Sequence, residues 1–599
     1  MSLPTNHGTP APATKSLAER IRVARGLSPC ELLLTNVRVV NVCTYEIMPL
    51  GAVAIHDGLV VGFGAEREAQ RTLDLEGRFL APSFIDGHVH LESSMVVPRE
   101  FARAVVPAGT GAVICDPHEI ANVLGADGVR YILEASEGLP LDVFVNVPSC
   151  VPATPLETAG ASLDADAVAA LLESHARVLG LAEMMNVPGV LFGDEQVLAK
   201  LGAAGTRPRD GHAPTVRGND LSGYLVAGIG ADHESVTADE ARDKLRQGMM
   251  LQIREGSAAK NLREMLKVVT PGNAYRCMFC TDDRHPHDLL TDGHINAVVR
   301  DAVDAGIPEA VACAMGSFTA ARHYGLTHPP RGAVAPGYLA DLIAFERFET
   351  LKPSHVFKRG QVVARDGELL VGLPAATTDG TTDTVHVNPQ RLPEIRIPAP
   401  AAASESPELR VIVAEHGSLI TEETRKPATL RDGTVISDPA SDTLKLVVVE
   451  RHTGEAGTGV AFVTGFGLQR GALATSVAHD SHNLIAVGVT DAEIHFALRE
   501  LIRLQGGCVV VDGEQVTATF ALPVAGLMSP APIEEAAQAE RDLTTAAKQL
   551  GCKLPNPFMT LSFLALPPIP KLKLTDRGLV DAERFEVVPL FASEPLESQ

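Results

Sequence analysis

His88 and His90 stand two residues apart at the end of an apolar run, in RFLAPSFIDGHVHLESSM. On a β-strand alternate side chains share a face, so both imidazoles point the same way from one strand end. Two neutral imidazoles converging on a point suit a divalent transition metal, although an isolated His-x-His also occurs in strands with no such role. Further along, Cys115-Asp116-Pro117-His118-Glu119 follows a second apolar run, and Glu183 ends another. Asp210-Gly211-His212, Asp232-His233-Glu234, Arg254-Glu255 and Asp282-Asp283-Arg284-His285 each close one more. An imidazole or a carboxylate at nearly every strand end turns the first pair from a coincidence into part of a metal site.

The elements that must position these groups follow from the same pattern. Short apolar strands over residues 84–90, 112–116, 142–147, 178–184, a stretch ending at 212, 228–233, 250–254 and 275–281 alternate with helical segments such as 164–179 and 238–247. Eight β/α units over about 250 residues predict a distorted (β/α)8 TIM barrel, with chemistry at the C-terminal ends of its strands. The barrel is assigned to residues 81–330. Residues 31–80 and 331–375 read as one discontinuous small β-sandwich domain, with an Asp57-Gly58 hairpin turn inside it. Residues 1–30 read as a tail and one short amphipathic helix, in which Leu17, Ile21 and Ala24 share a face. Further helices are expected over 295–305 and 309–323. Residues 376–408, rich in Thr, Pro, Ala and Ser, read as a linker. Residues 409–599 predict an α+β domain with helices at 490–502, behind a Thr490-x-x-Glu493 capping box, and at 533–550.

Composition narrows the partners. Among 599 residues, 74 Asp and Glu outweigh 51 Lys and Arg, leaving a net charge of −23. Such a surface repels nucleic acid and anionic membranes. Nine cysteines, an odd number scattered in apolar stretches, read as reduced core thiols and point to the cytoplasm; Cys277-x-x-Cys280 belongs with them, lacking a second such pair. No apolar run reaches the ~18 residues of a membrane span.

Together, SFIDGHVH, histidines after strands five and six, an acidic strand eight and the return through GAVAPGYLADLI resemble the amidohydrolase superfamily over residues 31–371. HVHLESSM, CDPHEIANV, GLAEMMNVP, DGHAP, ADHES and TDDRHPHDL, with AHDSHNLIAVG in the C-terminal region, are similar to its bacterial adenine deaminases across nearly the whole chain. That resemblance implies hydrolytic deamination of adenine, with adenine and water as substrates, two divalent metal ions (manganese or iron, with zinc as an alternative) and a homodimer. It implies His88 and His90 on one ion, His212 and His233 on the other, and Glu183 as the bridge. Many relatives bridge with a carboxylated lysine; no lysine lies near Glu183 in this strand, so a plain carboxylate is required.

A divalent cation acidifies a coordinated water, and one strand-eight aspartate should shuttle its proton to the departing nitrogen. Asp282 takes that role and a place among the metal ligands, with Asp283 as ligand or purine hydrogen-bond acceptor. Neighbouring strand residues face opposite ways, which leaves the two unseparated. His118 and Glu119 are assigned to proton transfer at a ring nitrogen, to substrate or to an accessory ion, with helix packing as the plain alternative. Glu92, Ser93 and His285 are assigned to the substrate pocket, and His479-Asp480-Ser481-His482 either covers the barrel mouth or forms a surface turn. The competing readings are a cyclic amide hydrolase of the same superfamily and an inactive barrel serving as a scaffold.

Overall fold

A computed structural model describes residues 16–400, 407–415 and 418–592; the expected N-terminal tail and part of the expected linker lie outside the described residues. Eight parallel strands, Phe84–Val89, Thr110–Cys115, Asp142–Val147, Val178–Met184, Arg209–Gly211, Ala231–Asp232, Met250–Arg254 and Cys277–Cys280, follow one another in chain order as a barrel. They are counted here as strands one to eight. Strand one is buried at every position, as a parallel strand covered on both faces must be. Gly87 is required there, because a Cβ would come within 3.0 Å of the Phe279 carbonyl oxygen on strand eight. The ring closes at Asp282, whose amide donates to the His88 carbonyl (3.0 Å) and whose carbonyl accepts from the His90 amide (3.2 Å).

Ahead of the barrel, Gly51–His56 and Leu59–Phe63 form the hairpin, with Asp57 and Gly58 at φ 52° and 73° as a type I′ turn needs. Phe79–Pro82 pairs antiparallel with Leu342–Phe345, so segments far apart in sequence share one ten-stranded sheet. An ion cluster ties this sheet to the barrel: the Asp142 carboxylate on strand three meets Arg331 at 2.6 Å and Lys358 at 2.7 Å. Two expectations are corrected. The helix Leu17–Ala24, capped by Ser16, leaves Leu17 71% and Ile21 49% exposed and buries Val23 instead, so the apolar face read from spacing is not the docked one. The stretch 309–323 is broken into Glu309–Met315 and Phe318–His323 at Gly316, where a Cβ would meet Val299 Cγ2 at 2.7 Å.

In the C-terminal region an eight-stranded mixed sheet carries the helix Asp491–Leu504 on one side. Thr490 caps that helix, its hydroxyl accepting the Glu493 amide at 3.2 Å. The helix Ile533–Gln549 lies toward the barrel, and its Glu534 pairs with Arg103. Docking is intimate: Ser529 pairs as a parallel bridge with Val96, and Thr158 donates its amide to Asp576 at 2.9 Å. Apolar packing runs without interruption from the barrel into this sheet. Residues 381–398, within the stretch read as a linker, are packed, with Val385, Val387 and Ile395 buried against the helix Asp491–Leu504 and its sheet. Their Pro- and Thr-rich composition hides three well-separated apolar anchors.

Candidate active site

Asp86 builds the floor of the site. Its Oδ1 accepts the amides of His88 (3.2 Å) and Thr281 (3.1 Å), and its Oδ2 lies 3.0 Å from His294 Nε2. One buried carboxylate thereby locks the end of strand one to the end of strand eight and aims both histidines inward. His88 Nε2 and His90 Nε2 face each other at 3.2 Å, and His90 Nδ1 is held by the Asp116 carbonyl at 2.9 Å.

Glu183 sits opposite and divides its oxygens. Oε1 faces His90 Nε2 at 3.4 Å and His88 Nε2 at 3.7 Å; Oε2 faces His212 Nδ1 at 2.6 Å and His233 Nε2 at 3.2 Å. Asp282 Oδ1 completes the first group, 3.0 Å from His90 and 3.4 Å from His88. Its Oδ2 is held by Arg254 at 2.8 Å, and Arg254 is itself clamped by Glu234. His118 Nδ1 stands 3.5 Å from Glu183 Oε1 and 3.2 Å from Asp116 Oδ2.

The electrostatics show what this crowd is built for. Burial disfavours the charged form of His90, yet Asp282 and Glu183 outweigh it and hold the ring well above its usual range. Burial likewise opposes ionisation of Glu183, and His233 and His212 outweigh that, holding its carboxyl well below the usual range. For Asp282 burial is outweighed first by Arg254, then by His88 and His90, again well below the usual range. Five imidazoles gathered around two ionised carboxylates form a buried donor set that divalent cations fit, with protons displaced on binding. With its Nδ1 proton given to the Asp116 carbonyl, a neutral His90 turns the lone pair of Nε2 toward the group, as a metal ligand needs. Lys244 is engaged by Asp232 and Glu240, at 2.8 Å each, and the carboxylate shared by the two groups is Glu183.

The remaining assigned residues form the walls. Ser93 donates its hydroxyl to Asp283 Oδ1, and Glu92 accepts the Ile120 amide at 3.1 Å. His285 Nδ1 meets Glu540 of the C-terminal helix at 2.7 Å, whereas His287 lies out on the rim beside Arg541. Asp283 reaches the site beside Asp282 because strand eight has already ended and Asp282 is left-handed at φ 60°.

Glu119 lines the cavity and is engaged by the C-terminal domain. Its two oxygens are taken by His479 Nδ1 (2.7 Å) and His482 Nε2 of the C-terminal domain, so it anchors that domain. The loop His479-Asp480-Ser481-His482 is buried over the barrel mouth, with Asp480 3.8 Å from His118 Nε2. Sequence reasoning gave no role to Asp116, Glu234 or Arg254; their places at strand ends were the available signal.

Two residue patterns of known families match this chain: the amidohydrolase family over residues 79–363 and the adenine deaminase C-terminal domain over 418–586. Adenine deaminase of Desulfatibacillum aliphaticivorans is 46% identical over 576 residues, covering 95% of this chain and 99% of that protein. Those of Oleidesulfovibrio alaskensis (45% over 575 residues, 96% and 98%) and Syntrophobacter fumaroxidans (44% over 579 residues, 96% and 99%) match to the same extent. The chain belongs to the adenine deaminase family. Among solved structures, the enamidase of the amidohydrolase superfamily aligns at a TM-score of 0.42 and 15% identity, over 56% of this chain and 96% of that one, a likeness too weak to bear on the site. Membership in this family implies use of divalent metal, in agreement with the His, Asp and Glu clusters at the barrel mouth.

Proposed function

We propose that this chain hydrolyses adenine to hypoxanthine and ammonia at the barrel mouth, and that the division of Glu183 between two ligand groups carries the mechanism. His88, His90 and Asp282 would hold one divalent ion, His212 and His233 the other, with Glu183 shared. When bound, such ions acidify and orient the attacking water. Asp282 accepts the proton of that water and delivers it to the amino nitrogen leaving C6; Arg254, on its other oxygen, fixes its direction. His118 protonates the ring nitrogen on which charge collects as C6 becomes tetrahedral, and regains a proton, the second of the attacking water, as the C6 hydroxyl becomes the carbonyl of hypoxanthine. Asp283, held by Ser93, accepts a hydrogen bond from a purine N–H, and Glu92 and His285 line the remaining wall. We read the ions as manganese or iron, with zinc as the alternative, and the working form as a cytoplasmic homodimer in purine salvage. Support for the cytoplasm is that eight of the nine cysteines are buried free thiols. The dimer rests on the resemblance alone, and sedimentation tests it. No helix among the described residues is long and apolar enough to cross a membrane.

The test is direct. Protein stripped by a chelator and reloaded with manganese or iron should release ammonia from adenine as the purine absorbance shifts to that of hypoxanthine, and the stripped protein should not. Turnover of hydantoin or dihydroorotate with inertness toward adenine would replace this reading with a cyclic amide hydrolase.

A further inference from the structure

The cavity over the ligands, lined by His118, Glu183 and His233, adjoins a second cavity lined by Glu92, Ser93, His285 and residues of the C-terminal domain. Three side chains line both: Glu119, Asp283 and His479. These three side chains therefore bound the passage between the ligand groups and the second cavity.

Glu119, His479 and His482 could be taken for a further metal site, since their donor atoms lie close together. The tautomer of His482 argues otherwise. Its Nδ1 accepts the Ala478 amide at 3.2 Å, so the ring proton is on Nε2, which donates to Glu119. A nitrogen that carries its proton has no lone pair for an ion. The cluster is therefore a hydrogen-bonded anchor in which Glu119 accepts from two histidines.

His479 is then held on three sides. Its Nδ1 donates to Glu119 at 2.7 Å, its backbone amide donates to the Ser562 carbonyl at 3.1 Å, and its ring stacks on Phe563 with centroids 4.5 Å apart and planes 10° from parallel. The other ring nitrogen, Nε2, has no protein partner among the described residues, on a side chain that lines both cavities. The ionised Glu119 beside it, outweighing burial, raises this imidazole to about 9, so Nε2 also carries a proton at neutral pH.

We propose that His479 of the C-terminal domain donates a hydrogen bond from Nε2 to N3 or N7 of the bound purine, making it the residue through which that domain recognises substrate. The proposal rests on the adenine reading above. Glutamine places its amide N–H near the Nε2 position of histidine, and asparagine places its own near Nδ1. H479Q thus keeps the donor toward the purine and H479N keeps only the donor toward Glu119.

The experiment compares wild type, H479Q and H479N on adenine, 3-deazaadenine and 7-deazaadenine, with metal content and melting temperature measured for each protein. In the wild type, kcat/KM for one of the two analogues should fall about tenfold or more relative to adenine, the loss expected when a charge-assisted donor loses its acceptor. H479N should lose about the same factor on adenine and show no further loss with that analogue, while H479Q keeps most of both. The proposal is overturned if neither analogue suffers in the wild type, if H479N discriminates as the wild type does, or if H479Q falls as far as H479N. Failure of the wild type to release ammonia from adenine would instead overturn the parent reading.

Discussion

Glu183→Gln changes the charge of one buried side chain and almost none of its shape. The carboxylate offers an oxygen to each ligand group, at 3.4 Å from His90 on one side and at 2.6 Å and 3.2 Å from His212 and His233 on the other. An amide has one oxygen and one NH2, so one group keeps an acceptor and the other confronts a donor. Loss of an outer hydrogen-bond partner of a metal ligand costs about 10–100-fold in affinity, and losing a ligand shared by two ions costs at least the upper figure. At about 1.4 kcal/mol per decade this is about 2.7 kcal/mol or more, taken from whichever ion loses its oxygen. At a buffered metal concentration that just saturates the wild type, the variant should hold about one equivalent or fewer by elemental analysis. Its kcat/KM for adenine should drop by about three decades, because the remaining ion no longer has its partner. Near-ultraviolet circular dichroism should be unchanged, since Gln fills the same buried volume. Two retained equivalents with kcat/KM within about threefold of wild type would refute the bridge, and with it the reading of His88 and His90 as half of a shared site.

Asp282→Asn keeps a side chain on Arg254 but cannot carry the proton, so kcat should fall about 10²–10⁴-fold with KM little changed; an unchanged kcat refutes the shuttle. Asp142→Asn leaves Lys358 and Arg331 facing an amide across the joint between barrel and outer sheet, at a cost of about 3–5 kcal/mol, seen as a lower temperature of thermal inactivation. A shift within about 1 °C would show the cluster to be idle. Glu157 is a buried carboxyl; burial, with Asp480 adding to it, pushes it up to about 8. Its folded pKa is raised, so its stabilising contribution is complete below an unfolded value of about 4.3 and is lost as pH climbs toward about 8, at most about 5 kcal/mol in all. Glu157→Gln, which never ionises, should match the wild type near pH 4 and melt higher near pH 9; an equal or lower melting temperature at pH 9 would refute the shift.

The barrel was legible because its signal is local: eight apolar runs, each ending in groups that can do chemistry, need no knowledge of what touches what. His88, His90, Glu183, His212 and His233 meet for the same reason, since the ends of parallel strands in a closed ring must converge. The C-terminal contribution was not legible. Glu119 and His482 are 363 positions apart, and nothing in either segment marks it for the other. Only once His479 and His482 dock is it visible that both oxygens of Glu119 are engaged by the C-terminal domain. The two aspartates of strand eight teach the complementary lesson. Alternation of faces holds for residues inside a ladder, where each backbone group is paired in register. Asp282 stands two residues beyond the end of strand eight at Cys280, and its backbone pairs back to strand one with φ at 60°. A left-handed residue reverses the swing of the chain, so Asp283 is turned toward Ser93 and the same cavity rather than to the outside. The bond that closes the barrel is thus also what brings two adjacent carboxylates onto one cavity.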